Sequence, residues 1–160
     1  MKPRQFVRYW VPVIAWMLVI FSASTDLGSA AQTSRFLIPF LHWIYPAISA
    51  DGIAAVQFAM RKAAHVTEYA ILAMLLLRGI RSRGGATFLR HAAVVFAVVG
   101  LYAATDEFHQ SFIGSRTASP YDVMIDCAGA LLGLLAYRAL TLRSAASPAL
   151  ASERLAPRGS

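Results

Sequence analysis

Residues 105–126 read TDEFHQSFIGSRTASPYDVMID. They carry Asp106, Glu107, His109, Gln110, Arg116, Asp122 and Asp126, yet they lie between two of the most apolar segments of the chain, 92–104 and 127–137. Polar groups beside hydrophobic runs of lipid length are costly unless they pair or line a wet cavity, so they are functional candidates by default. The stretch marks where a site would lie without naming its ligand or reaction.

Composition supports a membrane setting. Of 160 residues, 58% are apolar and only 14% charged, against about 25% charged in soluble domains. The net charge of +7 invites a nucleic-acid reading. The basic residues are instead spread along the chain beside hydrophobic spans, where they set topology, so nucleic acid is not expected as a partner. The single cysteine, Cys127, excludes an intrachain disulfide and a cysteine-rich metal site. Inside a hydrophobic run it reads as a small packing residue.

Outward from the opening stretch, the periodicity and punctuation predict an all-α integral membrane four-helix bundle. The spans are expected at about residues 9–23, 53–77, 88–104 and 121–142, with Pro120 in the first turn of the last. Basic residues before residue 9 and the Ser22-Ala23-Ser24 run also fit a signal peptide. Trp10 and Trp16 favour a retained span with interfacial anchors. Between spans 1 and 2, residues 36–48 (FLIPFLHWIYPAI) are apolar but broken by Pro39 and Pro46. Too short to cross, they read as an interfacial or re-entrant segment, with His42 beside Trp43 and Tyr45 as an anchor. Residues 1–142 form one transmembrane domain, and the Ala-, Ser- and Pro-rich residues 143–160 read as a disordered cytoplasmic tail.

Lys and Arg orient the bundle. With both termini cytoplasmic, eleven basic residues fall inside and four (Arg35, Arg61, Lys62 and Arg116) outside. Of eight acids, only Glu153 is then cytoplasmic.

Counting about 1.5 Å of rise per residue from the inner surface puts Glu68 at about 14 Å, His65 at about 18 Å and Lys62 at about 22 Å. Asp106 falls at about 22 Å and Asp126 at about 24 Å, in a core about 30 Å thick. Three helices thus place charge in one outer-leaflet layer, and tilt moves each value by up to a turn. Lys62, His65, Glu68 and Tyr69 share a stripe, and Asp106 and Gln110 are i, i+4. Asp122, Asp126, Gly129 and Gly133 run down one side of the last span, so its polar side doubles as its packing side. His109 sits away from the Asp106–Gln110 face, and His91, at the inner interface beside Arg90, is expected to be solvated.

The layer's five acids (Glu68, Asp106, Glu107, Asp122, Asp126) outnumber its three fixed bases (Arg61, Lys62, Arg116). Low dielectric disfavours the surplus, so acids are protonated, His65 or His109 is charged, or a cation is bound. A hard divalent cation is one natural solution. No dense ligand motif marks one, so no metal ligands and no cofactor are assigned. Candidate catalytic residues are Lys62, His65, Glu68, Asp106 and Glu107. Candidate ligand-binding residues are Tyr69, Gln110, Arg116, Asp122 and Asp126.

Certain elements recur in a familiar order: Phe21-Ser22 closing the first span, Arg61-Lys62-x-x-His65-x-x-Glu68-Tyr69, Asp106-Glu107-x-x-Gln110-x-Phe112, Gly114-x-Arg116, and Asp122 before a Gly-containing helix. From residue 9 to 137 the chain resembles the VanZ-like family of small bacterial membrane proteins. It departs from that family at Asp126, where Asn is frequent. The resemblance implies an integral protein of the bacterial inner membrane and cell envelope, with a link to antibiotic resistance against the glycopeptide teicoplanin. It implies no catalytic activity.

Two functions from different classes follow. One is an enzyme at the outer leaflet acting on a lipid-linked envelope precursor, with Glu68 or Asp106 as acid/base and Lys62, His65 and Arg116 stabilising negative charge. The other is a non-enzymatic accessory or binding protein, its polar cluster a structural ion-pair network and its aromatic residues 36–48 the working surface. Membrane lipid is the expected partner in both, and a homo-oligomer is an open option. A transporter fits less well, because the inner halves of the spans carry no polar track.

Overall fold

The computed structural model describes residues 3–25, 29–82, 87–114 and 118–155, with side chains omitted at 30–31 and 145–155. All regular elements among these residues are helices: α1 (Pro3–Ala23), α2 (Ala30–Ile44), α3 (Ala50–Arg81), α4 (Phe88–Gln110) and α5 (Pro120–Leu155). A helix closes its own backbone hydrogen bonds, which is what a chain this apolar needs in lipid. Four of the helices are long and apolar enough to cross a membrane: α1, α3, α4 and α5 as far as Ser144. Their starts follow local chemistry. Ser29, Ser49 and Thr87 cap α2, α3 and α4, each accepting a backbone N–H from three residues on (Gln32, Gly52 and Arg90).

The helix α3 is the spine of the bundle, in contact with all four other helices, and α5 runs parallel to it, Gly129 meeting Val66 and Gly133 meeting Ala70. The α3–α5 seam is the tightest. A Cβ on Gly129 would lie 2.5 Å from the Val66 carbonyl oxygen, and one on Gly133 would collide with the backbone of Ala70. Only glycine lets the two backbones approach this closely. Val13, Ile20, Tyr69, Leu72, Leu77, Val95, Val99 and Ala130 fill the middle. Outward lie residues such as Leu18 (60% exposed) and Leu101 (68%), an apolar belt that water would not tolerate but lipid would.

The two ends differ in kind. At one, Arg78 donates to the Arg8 carbonyl at 3.1 Å and lies over the Tyr9 ring, while Arg138 lies over Phe88. The start of α1, the end of α3, the start of α4 and the far part of α5 therefore share a basic end. The acidic layer lies at the other end, where α1 and α4 finish and α5 begins.

Three expectations need correction. Residues 36–48 are not a separate broken segment: α2 starts at Ala30, runs through Pro39 and stops at Ile44. Ser29 supplies a cap that the proline count obscured, but at 15 residues α2 remains short of a span. It lies against α3, with Gln57 donating to Ser34 at 2.7 Å, and leaves Phe36 and Trp43 about four-fifths exposed. Residues 143–155, expected to be disordered, continue α5, since alanine-rich sequence has high helix propensity. His91, expected to be solvated, is buried in the first turn of α4.

Candidate functional site

Each polar side chain of the layer is set by its helix face. On α4, Asp106, Glu107 and Gln110 all turn inward and are 95% or more buried. Asp106 Oδ2 accepts from Ser24 Oγ at 2.6 Å and from Gln110 Nε2 at 3.1 Å. Gln110 also reaches Ser24, at 3.3 Å, so the last turns of α1 and α4 are tied together. Glu107 Oε2 accepts the Ser119 backbone N–H at 2.8 Å, which anchors the approach to α5.

Across the bundle, α3 meets α5 in register with the glycine seam. Lys62 pairs with Asp122 Oδ1, and Arg61 with Asp122 Oδ2 at 3.2 Å. One turn deeper, His65 Nδ1 lies 2.9 Å from Asp126 Oδ1. The two residues were expected about 6 Å apart in depth and meet directly, a slip of about one turn.

Tyr69 sits beneath, fully buried, its ring 6.2 Å from that of Tyr102. Glu68, Asp106 and Asp126 all lie within electrostatic range of it. Glu68 itself is only half-buried, and its backbone carbonyl accepts the Trp16 indole N–H at 2.9 Å. It flanks the layer rather than forming its centre.

The decisive feature is what the hydrogen bonds leave over. Asp106 Oδ1, Glu107 Oε1, Gln110 Oε1, Asp126 Oδ2 and the Tyr69 hydroxyl are buried with no hydrogen-bond partner among the described residues. An unsatisfied buried acceptor costs about 1–3 kcal/mol, more when charged. Four acceptors left bare in one layer are therefore not a packing solution. Asp106, Glu107 and Asp126 are each held by one carboxylate oxygen and present the other, which is how a positioned acid, base or ligand is built. Asp122 differs, with both oxygens on cations. One ligand atom each of His65, Glu107 and Asp122 lie within 4.8 Å of one another.

Nine of the ten sequence candidates are thus placed at or beside one layer, and Arg116 falls outside the described residues. Ser24, Ser119 and Tyr102 were missed. Tyr102 donates to the Met17 carbonyl at 2.7 Å, pinning α1 to α4. A serine ending the first span, level with Asp106, was the available signal for Ser24. His109 is stacked on Phe21 with centroids 4.5 Å apart. Cys127 packs near Gly100.

The geometry can now be set beside known proteins. The VanZ/LLP1 family model matches residues 9–142. The chain belongs to the VanZ/LLP1 family. No curated protein and no solved structure matches it. Membership accounts for an integral membrane helical protein in which the VanZ-like residues of α3, α4 and α5 converge at one end.

Proposed function

We propose that the acidic end of the bundle is a site in the outer leaflet of the bacterial inner membrane, with both chain termini cytoplasmic. It receives the polar head of a lipid-linked cell-envelope substrate and performs acid–base chemistry on it. The observation that carries this reading is the set of half-engaged carboxylates, Asp106, Glu107 and Asp126, bare on one oxygen in a buried layer. Asp106, fixed by Ser24 and Gln110, is the favoured acid/base. Glu107 is the second, and Glu68 is disfavoured by its flanking position. Lys62 and Arg61 bring positive charge to the rim beside Asp122, where a phosphate-bearing head would approach. An open groove of about 850 Å³ between α2 and α3, lined by Phe36, Leu37, Phe40 and Met60, offers an acyl or prenyl tail a lateral berth. Handling a cell-wall precursor there would connect the chain to the teicoplanin-resistance link that the VanZ resemblance implies.

The test is lipid profiling of cells with and without the protein, complemented with Asp106→Asn and Glu107→Gln. Both variants are expected to insert normally and fail to restore the lipid profile. Full restoration by both would overturn the enzymatic reading.

A second reading has its own support. Lys62–Asp122 and His65–Asp126 both cross the α3–α5 seam in step with Gly129 and Gly133, as a structural ion-pair network in an accessory protein would. It predicts that Asp106→Asn leaves the phenotype intact while changes on the exposed face of α2 abolish it.

A further inference from the structure

We propose that His65, Glu107 and Asp122 form a binding site for one divalent transition-metal ion, Zn²⁺ in preference to Mg²⁺. These residues come from three helices, are 93% or more buried, and hold one ligand atom each within 4.8 Å of the others. Around a tetrahedral Zn²⁺ with ligands at about 2.0–2.1 Å, neighbouring ligands lie about 3.3 Å apart, so the three ligand atoms would draw in by up to about 1.5 Å around the ion.

The protonation pattern of the histidine is already arranged. Asp126 Oδ1 holds His65 Nδ1 at 2.9 Å, which leaves Nε2 to coordinate. A carboxylate behind the distal ring nitrogen is the usual support for a metal-bound imidazole. Glu107 is similarly prepared: the Ser119 N–H fixes Oε2, while Oε1 is buried without a partner. Asp122 has Lys62 on one oxygen and Arg61 on the other, so it would give up one of these pairings to the ion.

Charge balance agrees. Four buried carboxylates (Asp106, Glu107, Asp122, Asp126) face two bases, Lys62 and Arg61, among the described residues. The surplus equals the charge of one divalent ion, which would also relieve the bare Glu107 oxygen. An imidazole with two carboxylates selects Zn²⁺ over Mg²⁺, which demands octahedral oxygen coordination and sheds water reluctantly. Three protein ligands leave a fourth position open, as at catalytic rather than structural zinc sites. Ion binding here does not depend on the lipid-linked substrate proposed above.

The test uses the full-length protein in detergent, stripped with EDTA and titrated with Zn²⁺ against a chromophoric chelator. One equivalent is expected to bind, with Mg²⁺ unable to displace it. Glu107→Gln, which preserves the side-chain shape, is expected to abolish binding. Asp126→Asn should weaken it by about 10–100-fold, and His109→Ala should leave it unchanged. Because a site variant can misfold, Co²⁺ substitution of the wild type gives a second readout, intense visible bands from a low-coordinate site bearing nitrogen. Zn²⁺ affinity that persists in Glu107→Gln, or a Co²⁺ spectrum no different from the aqueous ion, would overturn the proposal and leave protons to carry the surplus charge.

Discussion

The α3–α5 seam makes the sharpest claim on stability. Consider Gly129→Ala. The new methyl would meet the Val66 carbonyl oxygen at 2.5 Å, whereas ordinary contact begins at 3.4 Å. The obstacle is backbone, so no rotamer change relieves it, and the helices must part by about 1 Å. Overpacking of this kind costs about 1–3 kcal/mol. Parting also carries His65 and Asp126 from 2.9 Å to roughly 4 Å, outside hydrogen-bond range, at a further cost of about 0.5–1.5 kcal/mol. A total of about 3 kcal/mol corresponds to about 150-fold in the folded-to-unfolded ratio. The assay is reversible unfolding in mixed detergent–SDS micelles, followed by circular dichroism. Gly133→Ala should behave alike. Gly100→Ala is the control, because its methyl meets only Cys127 Sγ at 3.6 Å, and it should change stability by less than about 0.5 kcal/mol. If Gly129→Ala and Gly133→Ala unfold with the control, the two backbones are not in contact and the register of the ion pairs fails with them.

Other outcomes follow from single contacts. Trp16→Phe removes the indole donor to the Glu68 carbonyl and should cost about 0.5–1.5 kcal/mol in the same unfolding assay. Ser24→Ala leaves Asp106 Oδ2 with Gln110 alone; it should destabilise by about 1–3 kcal/mol and reduce any lipid change the protein produces. For orientation, cysteines placed at Ser111 and Ser82, both exposed, are introduced into a Cys127→Ser background. A membrane-impermeant maleimide added to intact cells should label position 111 and spare position 82, and the reverse pattern would invert the topology.

The spans were legible because lipid demands long uninterrupted apolar runs, and the inward side of α5 because Asp122, Asp126, Gly129 and Gly133 recur at helical spacing. Helix ends were less so. The expected third span stopped at residue 104, yet α4 continues to Gln110, its polar last turns facing inward, where Ser24 and the Ser119 N–H each engage one carboxylate oxygen. Periodicity assigns a residue to a face but fixes no sliding between helices. That Lys62 meets Asp122, and His65 meets Asp126, depends on where the glycines let α5 settle on α3. Ser24 carried no local site signal in the sequence, because its partner Asp106 lies 82 positions away.

The layer draws Ser24 from just past the end of α1, and His65, Asp106 and Asp122 from α3, α4 and α5. During synthesis α1, α3 and α4 emerge first, carrying Lys62 and His65 into the bilayer before their counter-charges on α5, Asp122 and Asp126, exist. Until α5 arrives, these groups must stay wet, shielded by the insertion machinery or held near the headgroups. The last helix therefore both completes the protein and releases it for dry burial, so a chain truncated before residue 120 would present quality-control proteases with an intermediate marked by its own unneutralised charges.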